Sequence, residues 1–524
     1  MSDFQSRRKF MGAAGVAGLA AADAAAFGGR HRRWCPPQPC PPCPQPWPPQ
    51  PLPPGPQPNP DVGLRVRQNV NALAAQQVDS LRRGVAAMKA LDASAPTDPR
   101  GWRFQANIHG NDGPLSNVLW GQCTHSAGAS QITIQFLSWH RAYLHFFERI
   151  LRALSGDPAL TLPYWDWAAD RTLPAAYREY APGGNPLRDD TRQFNLNDGD
   201  PLIPTAGRGL PDALAAPGFS DSAGHSYLLE SGPHNSIHGG IGGSMGDTRT
   251  AGRDPVFWVH HANVDRLWDV WLAQGGRANP TDSGFLDEGW SFADETGATV
   301  RVRTRDVLGS AQLGYRYDNT PPSPAPTPPT TSSGPVMAAA PPVVVAASAG
   351  DAPLAEVPSK PVEYKFNRVP VQGRPQAVAA MAARAGTTPR TFVEVEGVTA
   401  ERPADGVLFG VYLNATDEEI QGPQEEQFYL GSISLFGRTR AERQAAGHRH
   451  REAADDAFTE SFDATRVIER LTRADRWDPA KFEVVIVPQS GRPGRRAAGQ
   501  VQAQAATATQ ASKLSYKRVR LVAR

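Results

Sequence analysis

Gly232-Pro233-His234-Asn235-Ser236-Ile237-His238, followed by Asp254-Pro255-Val256-Phe257-Trp258-Val259-His260-His261-Ala262-Asn263-Val264-Asp265-Arg266-Leu267-Trp268, is the stretch whose reading decides this chain. Nine of the 12 histidines lie between His109 and His261. His234 and His238 are four residues apart. On a helix that spacing puts both imidazoles on one face, one turn apart, aimed at one point. Neutral imidazole is a preferred ligand for copper, zinc, iron and nickel. A third imidazole from the following helix completes a three-nitrogen site with positions left open for substrate. His260 and His261 compete for that place. Neighbours on a helix diverge by about 100°, so one of them is expected to bind metal. His261 is taken as the ligand, because Asp265 follows one turn later and can orient its ring or buttress the helix. His260 is expected to lie behind the site or to face substrate.

A second cluster lies upstream: Ile108-His109-Gly110, Cys123-Thr124-His125, and Phe136-Leu137-Ser138-Trp139-His140-Arg141-Ala142-Tyr143-Leu144-His145-Phe146-Phe147-Glu148. From Phe136 to Leu154 the chain is apolar and aromatic with no Gly or Pro, which predicts a buried helix. His140 sits near its start. His145 falls well round the helix, so the two do not serve one metal. His109, His125 and His140 can form a second three-histidine site.

These segments resemble the type 3 binuclear copper proteins, the family of tyrosinases, catechol oxidases and molluscan haemocyanins. Trp102–Gly110, Leu162-Pro163-Tyr164-Trp165-Asp166-Trp167 and Leu313-Gly314-Tyr315-Arg316-Tyr317-Asp318 add to the match, which spans residues 61–318. The resemblance implies two copper ions. His109, His125 and His140 would hold the first, and His234, His238 and His261 the second. One departure stands out: residues 126–135 make the spacer before His140 several residues longer than the family pattern. Cys123 stands in a Cys-x-His relation to His125 that resembles a thioether link found in some members; otherwise it is a small buried thiol. Glu230 and Asn235 resemble a water-holding pair that helps deprotonate a phenol, although Asn235 can equally cap the helix and Glu230 serve as a structural acid. Where plant catechol oxidases often carry a phenylalanine over the second copper, the nearest match is Thr248, which implies a more open mouth. The resemblance also implies that Arg67 caps or stacks near Tyr315 and Tyr317; otherwise it is a surface arginine.

The fold expected is mainly α: a helical-bundle copper domain over 61–318, then a smaller all-β sandwich over 362–524. Residues 319–361, rich in Pro, Ala, Ser and Thr, read as a linker. Thr391–Val398, Val407–Asn414, Lys481–Pro488 and Ser515–Val522 read as strands, and Phe428–Gly437 resembles part of the C-terminal shielding domain of plant polyphenol oxidases. A helix is expected from Arg65 to Leu91. Residues 1–30 pair Arg7-Arg8 with a weakly apolar run and a small-residue cleavage site, the pattern of a Tat signal, so the expected location is periplasmic or secreted. Residues 31–60 form a Pro-rich linker in which Cys35, Cys40 and Cys43 can pair or capture metal. With 54 basic and 52 acidic residues, net charge is +2, which points away from nucleic acid and from membrane surfaces after export.

The resemblance implies an enzyme that uses O2 to hydroxylate monophenols in the ortho position and to oxidise o-diphenols to o-quinones. O2 and small phenols are its expected partners. A latent proenzyme is expected, with a C-terminal side chain over the copper mouth; sequence does not identify that side chain. The alternatives are a catechol oxidase without monophenolase activity, a haemocyanin-like O2 carrier, and a zinc protein using the same histidines.

Overall fold

The helix over Phe136–Ser155 forms because nothing in twenty residues breaks one, and it stops at Gly156, whose φ of 71° supplies the left-handed C-terminal turn. The computed structural model describes residues 63–323 apart from 115, 127–128, 130–131, 182–183 and 222, and beyond them 343–348, 352–356, 367–373, 390–400, 408–436, 457–489 and 513–523. The expected signal segment, the Cys-rich linker and the low-complexity stretch 490–512 lie outside the described residues.

The first domain is built on helices α1 (Ala75–Ser94), α2 (Trp102–His109) and α3 (Phe136–Ser155), the short α4 (Ala175–Arg178), α5 (Leu210–Ala215) and α6 (His225–Leu229), then α7 (Asn235–Ile241) and α8 (Val256–Leu272). The start of α8 is set by Asp254, whose carboxylate accepts the Val256 amide at 2.9 Å and is clamped by Arg192 at 2.7 and 2.9 Å. Helices α3 and α8 pack through aromatic faces: Phe147 stacks on Trp258 at 3.4 Å, and the Arg141 guanidinium lies 4.0 Å over Trp268.

The expected helix from Arg65 is shorter at its start. Arg65–Arg67 form strand β1, a turn follows at Val70–Ala72, and α1 begins at Ala75. The reason is tertiary. β1 pairs in parallel with Tyr315–Tyr317, so the two ends of the domain meet. This register drives Arg67 into the interior, where it stacks 3.7 Å over Tyr315 and donates to Glu148 at 2.8 Å, to Tyr317 at 3.1 Å and to Asp265 at 3.2 Å. Both tyrosine hydroxyls donate to the same Asp265 oxygen at 2.5 Å, and Arg141 bridges Asp265 and Asp269. Burial pushes the Asp265 carboxyl up, but Arg141 and Arg67 overcome it and hold it below the ordinary carboxylate range.

The C-terminal strands form around their own apolar core, with alternating residues such as Val393 and Val395, and Val484 and Ile486, fully buried. Ten strands join one sheet, in the order Tyr429–Ser434, Leu408–Leu413, Lys481–Gln489, Asn367–Gly373, Val343–Ala347, Arg518–Ala523, Thr391–Ala400, Lys513–Tyr516, Ala352–Glu356, with Phe458–Asp463 (β11) also on Thr391–Ala400. Every pairing in this sheet is antiparallel. The all-β domain is thus one continuous ladder rather than two separately bonded sheets. It also starts earlier than expected. Val343–Ala347 and Ala352–Glu356 fall inside the stretch read as linker, 319–361, yet both pair into the sheet. Ser323, at the other end of that stretch, is buried and donates to Asp269 at 2.6 Å. Proline-rich flanks hid these strands from a compositional reading.

Arg67→Met, which keeps the stem and removes the charge, is expected to cost about 3–5 kcal/mol of unfolding free energy by stranding buried carboxylates. Arg305→Met, which breaks a half-exposed pair with Asp287, is expected to cost about 1 kcal/mol or less. Urea titration of both variants reads the difference.

Candidate metal centre

Two histidine groups lie side by side in the first domain, and within each the candidate ligand atoms lie within 4.8 Å of one another. In the first group α2 ends on His109, α3 presents His140 from its opening turns, and His125 stands on extended chain between them. In the second, a widened π-turn over Glu230–His234 delivers His234, the following α7 carries His238, and α8 carries His260 and His261. Such turns insert an extra residue into a helix and re-aim side chains, often at functional sites. The groups adjoin: His140 and His261 stack 4.3 Å apart at an interplanar angle of 4°.

The outer ring nitrogens show what the inner ones are for. His109 Nδ1 faces Thr248 O at 2.9 Å, His140 Nδ1 faces Phe136 O at 2.8 Å, and His238 Nδ1 faces Met245 O at 2.8 Å. A carbonyl only accepts, so each of these nitrogens carries the proton and its Nε2 carries a lone pair. His125 Nδ1 likewise donates to Glu230 Oε1 at 3.2 Å, and His234 Nδ1 to Asn235 Oδ1 at 2.9 Å. The lone pairs then converge. His109 and His125 Nε2 are 3.4 Å apart, and His238 and His261 Nε2 are 3.1 Å apart. Burial first, and the neighbouring imidazoles second, drive the His109 pKa down to about 3 and push those of His140, His234, His238 and His261 well below the ordinary value. Neutral imidazoles with inward lone pairs fit metal cations, and the all-nitrogen donor set with open positions suits copper.

All six expected ligands come together, including His125 ahead of its long spacer. His145 faces away, beside Phe146. His260 lies within the second group, and neither of its ring nitrogens has a hydrogen-bond partner. The 100° divergence of neighbours did not separate it from His261, because the group is wide enough to meet both. Asp265 buttresses the helix and does not touch the His261 ring, whose Nδ1 is unpartnered. Cys123 is buried, with its sulfur 3.5 Å from His140 Nε2 and within 4.8 Å of a ring nitrogen of His125.

Glu230 also holds Ser126. Besides His125 it accepts the Ser126 amide and the Ser126 hydroxyl, each at 2.6 Å. Thr248 is buried, with its carbonyl on His109. The mouth it was expected to leave open is covered from elsewhere. Phe436, which follows strand Tyr429–Ser434 of the second domain, stacks on His238 at 3.9 Å and stands edge-on to His125 at 5.5 Å and His234 at 5.8 Å. Ser434 Oγ donates to Asn235 O at 3.1 Å, and Gly239 lets the Leu408 side chain close on α7. Sequence reasoning stopped short of Phe436. Its only signal was an aromatic at the end of the Phe428–Gly437 run.

Comparison with known proteins agrees with this geometry. Residues 99–207 and 214–274 match the common central domain of tyrosinase, 279–328 the polyphenol oxidase middle domain, and 343–501 a domain of unknown function, DUF7868. Tyrosinase HcTyr1 of Hahella sp. (strain CCB-MM4) is 30% identical over 476 residues, covering 82% of this chain and 96% of that protein. The chloroplastic polyphenol oxidase of Malus domestica is 29% identical, covering 71% of this chain and 68% of its own length. Among solved structures, latent aurone synthase superposes with a TM-score of 0.56 at 22% identity, covering 89% of this chain and 91% of its own. Latent apple tyrosinase gives 0.53 at 23%, covering 88% and 97%. At such identities the two structures speak to fold alone.

The copper-loaded chain is expected to hold two ions, one per histidine group. His140→Asn and His238→Asn should each reduce this to about one. Metal analysis against protein concentration reads the outcome, and full occupancy in either variant would place the metal elsewhere.

Proposed function

This chain belongs to the tyrosinase and polyphenol oxidase family, and we propose that it is a latent member that hydroxylates monophenols and oxidises o-diphenols to o-quinones. It is a copper oxidoreductase acting on phenols. The observation that carries the latent reading is Phe436, seated face to face on His238.

Bound copper supplies the redox chemistry: two ions together furnish the electrons that O2 needs. The first would be held by His109, His125 and His140, the second by His234, His238 and His261. The rest is the chain's own work. Carbonyls of Thr248, Phe136 and Met245 fix three tautomers and so three lone pairs. Phe136 and Phe257 line the rings, at 4.7 Å from His234 and 4.2 Å from His261, and exclude bulk water. A phenol has to take the place of Phe436 to stack on His238. The thioether between Cys123 and His125 remains part of this proposal; it would lock the one ligand that no helix carries.

Glu230 and Asn235 enter as positioning residues. Their acceptor atoms are occupied by His125 and His234, which supports holding the rings ahead of holding a water. That occupancy also favours a second reading, a catechol oxidase without monophenolase activity. We further propose export through the Tat pathway. Among the described residues no helix is long and apolar enough to cross a membrane.

Oxygen uptake by the copper-loaded full-length chain should separate these readings. Phe436→Ala is expected to raise kcat/KM for a catechol about tenfold, the equivalent of about 1.4 kcal/mol of ring contact. An unchanged rate would remove Phe436 as the cover. Uptake with tyrosine as well as catechol supports the first reading, and uptake with catechol alone the second.

A further inference from the structure

Five of the six expected ligands are carried by α2, α3, α8 or the continuous turn into α7. His125 is not; it stands on extended chain followed by the long spacer to α3. Its placement therefore depends on tethers, and these come from two sides. From the first domain, Glu230 accepts His125 Nδ1 and both donors of Ser126. Thr133 closes back on the same point, donating its amide to Ser126 Oγ at 3.0 Å and its hydroxyl to His125 O at 3.2 Å. From the second domain comes strand β11. Its Thr459 carbonyl accepts the Ala129 amide at 2.9 Å, in the middle of the spacer. The next residue, Glu460, is buried and accepts the Tyr227 hydroxyl at 3.2 Å. Tyr227 lies on α6, three residues before the Glu230 that holds His125.

We propose that the C-terminal domain is also a clamp on the first copper site: β11 holds the spacer through Thr459 and the Glu230 turn through Glu460, and so keeps His125 in its ligating position. Cover and clamp act differently. Phe436 lies over both histidine groups, stacked on His238 and edge-on to His125, whereas β11 reaches the support of a ligand in the first alone. Loosening of the domain thus uncovers both groups and weakens the hold on one. The inference rests on the two-copper reading of the site.

The test uses the full-length, copper-loaded chain dialysed against EDTA, with copper per chain followed over time. Ala129→Pro removes the amide that Thr459 accepts, and Tyr227→Phe removes the hydroxyl that Glu460 accepts. The double variant is expected to lose one of its two ions about tenfold faster than wild type, the range seen when groups supporting a ligand are removed, leaving a long-lived one-copper form. Phe436→Ala, which opens the mouth and leaves both tethers, is expected to speed both losses together. Tyr227→Phe alone changes no shape and should give a smaller effect of the same kind. Unchanged loss in the double variant overturns the clamp, as does an equal acceleration of both ions. A wild-type chain that binds fewer than two ions overturns the metal reading and this inference with it.

Discussion

Inward-facing lone pairs on buried, neutral imidazoles are the constraint on which the rest of this structure depends. Left alone, facing lone pairs such as those of His109 and His125 Nε2, 3.4 Å apart with both protons held on the outer nitrogens, repel. An apolar interior offers them no water, and burial opposes protonation. The arrangement persists where rings are fixed from behind, and the fold supplies that fixing to His109, His125, His140, His234 and His238 from carbonyls, an amide and a carboxylate. Metal is then the one component that turns the repulsion into binding, so holding the apo site is work done by the scaffold.

That scaffold is braced from the far side of the ligand helices. Asp265 stands one turn after His261 on α8, and Arg141 stands next to His140 on α3; the two are paired. Arg67 and the two tyrosines of strand Tyr315–Tyr317 close over the same carboxylate. Residues from both ends of the domain and from both main helices thus meet at one charged centre. A shift of either helix would move a ligand at one end and break a buried pair at the other. Such centres add little net stability but tolerate few alternatives, which suits a site whose rings have to be held in fixed places.

Much of this was legible in the sequence, for physical reasons. The i, i+4 pair His234 and His238 and the unbroken apolar run around His140 are local signals, and local signals survive without the fold. His125 was legible through family resemblance rather than spacing, since extended chain has no period to read. What escaped was long-range. Arg65–Arg67 became a strand because a partner 250 residues away pairs with it. Val343–Ala347 and Ala352–Glu356 look like linker until the sheet they join is seen. Phe436 has no mark of function in its own neighbourhood; it matters because another domain brings it onto His238. His260 lies within the second group beside His261, and helix spacing alone does not assign its part there.

The placing of the C-terminal strands has a consequence of a different kind. Among the described residues, Val343–Ala347 is the first strand of the second domain and pairs directly with Arg518–Ala523, the last. The two ends of this domain are therefore stitched together inside its own sheet. Severing the connection would leave a closed body with its core intact, still seated on the histidines. From then on shielding becomes a bimolecular equilibrium, governed by dilution and by dissociation rate rather than by the cut itself. On the latent reading proposed above, a nicked preparation kept concentrated would behave as an inhibited complex, and the same preparation diluted would slowly shed its inhibitor.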